Sequence, residues 1–195
     1  MSRGAMLSRQ TKETDISVIL ELDGSGNASV ETGIGFFDHM LDAFSRHGFF
    51  DLSLTCHGDL NVDGHHSVED CGIVLGKAIK SALGDKKGIR RYGYFLLPMD
   101  EALVACAVDL SGRPYYVSDA TFTAPMVGEF DTQLVNEFFY SISYAAEMNL
   151  HFTVLRGNND HHIIEAMFKS FAKALDMAVS IDPRIEGVLS TKGSL

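Results

Sequence analysis

Two short stretches hold the residues best suited to chemistry, and they share one pattern. Gly64-His65-His66-Ser67-Val68-Glu69 and Asp160-His161-His162-Ile163-Ile164-Glu165 each set two adjacent histidines three and four positions ahead of a glutamate. On a helix those offsets bring imidazole and carboxylate onto neighbouring faces of one turn. Imidazole nitrogens and a carboxylate gathered so tightly suit a transition-metal ion. A pair of exposed helix starts is the plain alternative, but it accounts poorly for the pattern arising twice in a chain with only 8 histidines. A helix N-terminus also disfavours protonation of imidazole, which keeps the nitrogen lone pair available to metal.

Two further histidines join this pool. His39 follows Asp38 just inside a helix, and His151 projects from a strand between Leu150 and Phe152. That setting suits a buried neutral histidine as well as a ligand. His47 and His57 lie at element ends with no partner in sequence. The pool is then His39, His65, His66, His151, His161, His162, Glu69 and Glu165. It is too large for one ion. Shared between two ions, it gives each three histidines and one carboxylate, and a six-coordinate ion such as Mn²⁺ keeps open positions for substrate or water. The lack of thiolates argues against structural zinc and for a catalytic dinuclear centre.

The basic residues suggest a separate task. Arg91 follows Arg90, Arg113 sits in the Ser111-Gly112-Arg113-Pro114 turn, and Lys192 lies in Ser190-Thr191-Lys192-Gly193. Arginines at turns with a Ser/Lys tail can clamp a phosphate, although each taken singly is more readily a solvated charge. Glu13, in Thr11-Lys12-Glu13-Thr14, reads by itself as a surface residue ahead of a strand.

These residues need elements to position them. Ile16, Val18, Leu20 and Leu22 alternate as a strand with one buried face. Asp23 to Asn27 turns, and Ala28 to Thr32 reads as the second arm of a hairpin. Phe37 to Gly48 has helical spacing, Leu52 to Cys56 alternates again, and Val68 to Leu83 returns to helical spacing. The second half repeats the series. Leu103 to Val108 is strand-like, Tyr115 to Phe122 is the return arm, and Phe130 to Leu134 opens a helix as Phe37 to Leu41 does. Leu150 to Leu155 and Ile164 to Met177 complete it.

The repeat length is roughly 90 residues, so we read an internal duplication in which each half runs β-β-α-β-α. The expectation is one α+β or α/β layered domain over residues 1–195, with halves of about 9–92 and 93–186 and a tail at 187–195. On this alignment the counterparts of His39 and His151 are Thr132 and Leu52. Met1 to Met6 reads as a flexible start, and the tail suits a frayed terminus or a phosphate clamp.

Composition sets limits. A net charge of −10 argues against nucleic-acid and anionic-membrane partners, though not against a small anionic substrate. The three cysteines, Cys56, Cys71 and Cys106, sit in apolar contexts without CxxC spacing, as buried thiols in a reducing compartment do. No apolar run reaches the ~20 residues of a membrane span, and no signal-peptide core opens the chain. A cytoplasmic location is expected.

Several of these motifs together carry a resemblance. Arg9-Gln10-Thr11-Lys12-Glu13-Thr14, Phe37-Asp38-His39-Met40-Leu41, Gly64-His65-His66-Ser67-Val68-Glu69-Asp70, Ser111-Gly112-Arg113-Pro114, Asn159-Asp160-His161-His162 and Ser190-Thr191-Lys192-Gly193 resemble, in order and spacing, the imidazoleglycerol-phosphate dehydratases. The resemblance runs from about Arg9 to the C-terminus. It implies a duplicated α+β fold, with a four-stranded sheet and two helices in each half and left-handed β-α-β crossovers. It also implies 24-subunit shells, two Mn²⁺ per active site and sites built between subunits.

The resemblance makes the eight pooled side chains the metal ligands and Glu13 the proton-transfer residue. Arg91, Arg113, Ser190 and Lys192 would hold the phosphate, with Lys169 a further candidate. One departure is Ala43, which stands where some relatives carry glutamine. The implied reaction is dehydration of imidazole glycerol phosphate to imidazole acetol phosphate in histidine biosynthesis, through a dimetal-bound imidazolate and a diazafulvene-like intermediate. A dinuclear metallohydrolase of a small phosphorylated substrate, or a non-catalytic metal-binding shell protein, would use many of the same residues.

Overall fold

The computed structural model describes residues 3–195, so Met1 and Ser2 lie outside the described residues. The first half contains β1 (Gly4–Gln10), β2 (Thr14–Glu21), β3 (Ala28–Glu31), α1 (Gly35–Gly48), β4 (Asp51–Gly58) and α2 (His65–Leu83). The second contains β5 (Tyr92–Met99), β6 (Ala102–Asp109), β7 (Tyr115–Ser118), a short pair β8 (Met126–Val127) and β9 (Phe130–Asp131), α3 (Leu134–Ala146), β10 (Asn149–Arg156) and α4 (Asp160–Val179). The sheets have matching orders, β1-β2-β4-β3 and β5-β6-β10-β7. This is an α+β fold made of two similar halves.

Two of the longer strands escape the periodicity reading. β1 replaces the expected flexible start from Gly4 onward. Its inner residues Ala5, Leu7 and Arg9 are only half-buried, so its alternation is faint. β5 is apolar on both faces, with Tyr94 and Leu96 outward and Leu97 inward, and so shows no alternation to detect.

The expected hairpins are also corrected. β3 does not pair with β2, because β4 lies between them, antiparallel to β2 and parallel to β3. β10 separates β6 from β7 in the same way. Asp51 holds the first of these wide connections, accepting hydrogen bonds from the backbone N–H groups of Ser25 and Asn27, each at 2.9 Å. Local turn residues alone look the same in a hairpin and in a loop that steps over a neighbouring strand.

Helices of one half pack on helices of the other, α1 on α4 and α2 on α3, between the two sheets. Stacked and edge-on rings join the halves, among them Phe44 with Phe171 at 5.5 Å and Phe37 with Phe138 at 5.3 Å. Each such pair adds roughly 0.5–1.5 kcal/mol beyond its area. α2 and α3 approach closely because Gly72 and Gly76 have no side chain. A Cβ there would sit 2.9 Å from the Phe138 carbonyl oxygen and 2.7 Å from that of Ile142.

The N-terminal ends of the helices meet at one end of this layer. Gly64, ahead of α2, lies against Ile34 and Leu134, which precede or open α1 and α3, and Phe36 of α1 packs on His161 of α4 at 5.0 Å. Both histidine boxes therefore lie where helix dipoles point their positive ends.

Register also corrects two counterparts. Glu21 faces Asp51 in the first sheet and Asp109 faces Asn149 in the second. His151 therefore matches Ser53, not Leu52. The left-handed residues that end α1 and α3, Phe49 and Glu147, likewise match His39 to Glu137, not Thr132. The β8–β9 insertion displaced the sequence alignment there: Phe130 and Asp131 form β9, and the helix starts only at Leu134.

Candidate active site

The box on α4 is built into the contact between halves. His161 Nε2 lies 3.1 Å from Glu165 Oε2, and His39 Nε2, from α1, lies 3.7 Å from the same oxygen. The three offer ligand atoms that all lie within 4.8 Å of one another. Among the described residues this is the one such group of three. Two imidazoles and a carboxylate, with no thiolate, form a donor set suited to Mn²⁺ or a similar ion.

Glu165 is well protected, its side chain 8 % exposed, and Lys169 Nζ meets its other oxygen at 2.5 Å. Burial pushes the Glu165 carboxyl up, but the Lys169 hydrogen bond and charge, with help from His161 and His39, hold it below its ordinary value. Its two oxygens thus have separate tasks, one on the lysine and one among the imidazoles.

The box on α2 has the same residues in a different setting. His65 Nε2 stands 3.8 Å from Glu69 Oε2, with both side chains more than two-fifths exposed. No third donor closes this pair among the described residues. His151 does not supply it. It is exposed on the outer face of β10, in one cross-strand row with Tyr94, Ala107 and Val117.

The second histidine of each box is held from outside its own helix. His66 Nδ1 lies 3.1 Å from Asp59 Oδ2, and His162 Nδ1 lies 2.7 Å from Glu101 Oε2. These contacts raise both imidazoles above their ordinary pKa, and the His162 contact lowers the Glu101 carboxyl to about 2. Sequence reasoning missed Asp59 and Glu101 because neither lies within a helical turn of its histidine. Asp70, at the end of the first box, is also unassigned in sequence. It is buried, accepting from Thr14 Oγ1 at 2.6 Å and Arg9 Nε at 3.0 Å, and so ties the Arg9-to-Thr14 stretch to α2.

Glu13 lies in the β1–β2 turn. Its backbone N–H donates to Thr11 Oγ1 and its carbonyl accepts from the Asp59 N–H at 3.0 Å, while its carboxylate stays exposed. No ion pair or side-chain hydrogen bond engages that carboxylate among the described residues. A fixed backbone with a free carboxylate suits a group that moves protons.

The structure also collects the basic residues. Arg91, Arg113, Ser190 and Lys192 line one surface cleft of about 770 Å³. Arg91 is buried there and already occupied. Its Nε and Nη2 donate to the Asp109 carboxylate at 2.7 and 3.1 Å, and its Nη1 donates to the Leu189 carbonyl at 2.8 Å. It braces the tail, while Arg113 and Lys192 present exposed charges. Lys169 lies apart from this cleft, beside Glu165. Ala43 is buried on α1.

Known proteins resemble this chain over most of its length. The family model for imidazoleglycerol-phosphate dehydratase matches residues 32–175. The chain belongs to that family. The imidazoleglycerol-phosphate dehydratase of Lachnoclostridium phytofermentans is 65% identical over 195 residues, covering all of both chains. That of Acetivibrio thermocellus is 57% identical, also over all of both chains. Among solved structures, the Staphylococcus aureus enzyme superimposes with a TM-score of 0.84 at 37% identity, covering 92% of this chain and 99% of its own. The Pyrococcus furiosus enzyme, solved in complex with (S)-C348, gives 0.84 and 37% with 97% and 100% coverage.

Proposed function

We propose that the chain is a hydro-lyase that converts imidazole glycerol phosphate to imidazole acetol phosphate with loss of water, a step of histidine biosynthesis. The observation that carries this reading is the His39–His161–Glu165 cluster, in a chain 65% identical over its whole length to a dehydratase of that name.

The substrate sets a particular problem. The C–H that must be broken is not next to a carbonyl, so the imidazole ring has to supply the electrons that expel the hydroxyl and then take back the pair released from the C–H bond. The hydroxyl on the ring-bearing carbon leaves, the neighbouring carbon loses its proton, and the enol relaxes to the ketone. Two Mn²⁺ ions, when bound, would supply Lewis-acid charge for the ring nitrogens. His39, His161, His162 and Glu165 would hold one side of that centre, and His65, His66 and Glu69 the other.

The chain's own residues do the remaining work. Glu13 takes the carbon-bound proton with its free carboxylate. Arg113, Ser190 and Lys192 hold the phosphate, and Arg91, fixed by Asp109, keeps the tail over the cleft. Lys169 neutralises one oxygen of Glu165, which favours the ionised ligand.

Among the described residues no third donor joins the α2 box, and His151 lies on an exposed sheet face. We assign that missing donor to His151 of a second copy, which makes the enzyme a homo-oligomer with shared sites. The outer face around His151 fits such a contact, with Tyr94, Leu96 and Tyr115 each more than half exposed. A cytoplasmic location is supported by three buried free thiols, and none of the described helices is long and apolar enough to cross a membrane.

The test is an assay of the Mn²⁺-loaded protein on imidazole glycerol phosphate that follows both the ketone product and inorganic phosphate. Ketone formation without phosphate release is expected. Phosphate release would instead indicate a metallohydrolase, and no turnover a metal-binding shell.

A further inference from the structure

The two hairpin turns of the duplicated fold place a glutamate at the same position and use it differently. Thr14 opens β2 and Ala102 opens β6, and the β1–β2 and β5–β6 pairings have matching registers. Glu13 and Glu101 are therefore positional counterparts, each one residue ahead of its strand. Glu13 leaves its carboxylate free. Glu101 is fully engaged, with Oε2 on His162 Nδ1 at 2.7 Å and Oε1 accepting the N–H groups of Asn158 and Asn159 at 3.3 and 3.0 Å. In the first half the bracing falls to Asp59, which meets His66 Nδ1 at 3.1 Å, and Asp59 is itself fixed to Glu13 through its N–H.

We propose that Glu101 and Asp59 are positioning residues for the metal centre: they hold Nδ1 of His162 and His66 so that both imidazoles present Nε2 to the ions. The inference rests on the metal reading given above. A carboxylate accepting from Nδ1–H fixes the tautomer, and the lone pair is then on Nε2. The first histidine of each box agrees with this, since His161 and His65 turn Nε2 toward their own glutamates. His162 Nε2 lies 3.8 Å from the exposed Asp100 carboxylate, too far for a hydrogen bond. All four box histidines thus present the same nitrogen.

The division of labour follows from geometry. Glu101 packs three donors around its carboxylate, which suits a brace and leaves it no freedom to approach a substrate. Glu13 has none of those donors, because Asp59 has taken over the histidine. One ancestral position has become a brace in one half and a free base in the other.

The experiment measures Mn²⁺ affinity by competition with a chelator, independently of turnover. Parent, Glu101→Ala, Asp59→Ala, Glu101→Gln, His162→Ala and His66→Ala are compared, with melting of each metal-free protein as a check on folding. Glu101→Ala and Asp59→Ala are expected to weaken binding about 10–100-fold, the usual loss when a ligand's outer partner is removed. Glu101→Gln keeps the shape and a neutral acceptor, so it should weaken binding less while folding like the parent. Affinities within twofold of parent for all three, with His162→Ala and His66→Ala losing metal, would overturn the positioning role and leave the metal reading intact. If those two histidine variants also bind like the parent, the metal reading itself fails.

Discussion

The two histidine boxes share a sequence pattern, but among the described residues only one gathers a third donor. On α4, His161 and Glu165 are sunk against α1, where His39 joins them and Lys169 backs the carboxylate. On α2, His65 and Glu69 face solvent with no third donor among the described residues. Duplication supplied the pattern, and packing decided which copy closes. α1 lies on α4 and brings a histidine with it. α3 lies on α2 and brings Glu137 at the matching position, so nothing equivalent to His39 reaches the first box.

The outer sheet faces differ in the same direction. Across the first sheet the row that matches the His151 row reads Met6, Ile19, Ser53 and Ser29, so serines stand where the second sheet has a histidine and a valine. Across the second a row reads Tyr94, Ala107, His151 and Val117. An apolar row with a histidine in it is a surface suited to another copy. On the reading proposed above, His151 of one copy completes the α2 box of another.

The comparison can be broken by mutation. The largest effect is expected from Glu13→Gln, with kcat falling about 10²–10⁴-fold while Mn²⁺ affinity is unchanged. Activity near the parental rate would remove Glu13 from the proton step. Next, Glu165→Ala and Glu69→Ala should both abolish metal-dependent turnover but differ in stability. Glu165→Ala leaves Lys169 partly buried without its partner and should cost about 3 kcal/mol in urea unfolding of the metal-free protein. Glu69→Ala removes an exposed group and should stay within about 0.5 kcal/mol. Equal losses would mean that the two boxes are not differently built.

A third contrast concerns the faces. Tyr94→Asp should lower the assembled mass in light scattering, whereas Ser17→Asp, on the first sheet, should leave it unchanged.

The smallest effect is one of pH on the metal-free protein. The Glu101 contact raises the His162 pKa above its ordinary 6.5, so the stability it adds is complete below that value and fades as pH rises through the raised one. Glu101's own share is complete above 4.5 and is lost as pH falls toward about 2. The melting temperature should therefore decline above neutrality, and Glu101→Gln should flatten that decline. Bound metal should reverse the trend, since it competes with the same proton.

Much of this architecture is legible in the residues. Ile16 to Leu22 and Val68 to Leu83 declare their elements because one face of each is buried and the other is wet. The repeat is legible because both halves reuse the same box. β5 is hidden by its apolar outer face, and β1 by its half-buried inner one. The strand order is hidden because pairing partners are chosen by the whole sheet, so β4 can enter between β2 and β3 without a local signal. At the site, His161 and Glu165 are legible from spacing within one helix. Asp59, Glu101 and Asp109 are not, since each acts on a residue of another element.

Whether the site is shared between copies is tested most directly by subunit complementation. His66→Ala damages the α2 box and His151→Ala removes the donor assigned to a second copy, so each alone should be inactive. Dissociated, mixed in equal amounts and reassembled with Mn²⁺, the two should form ketone again at about a quarter of the parental rate, as random pairing in a symmetric assembly allows. If the mixture remains as inactive as its components, His151 does not complete the site of another copy.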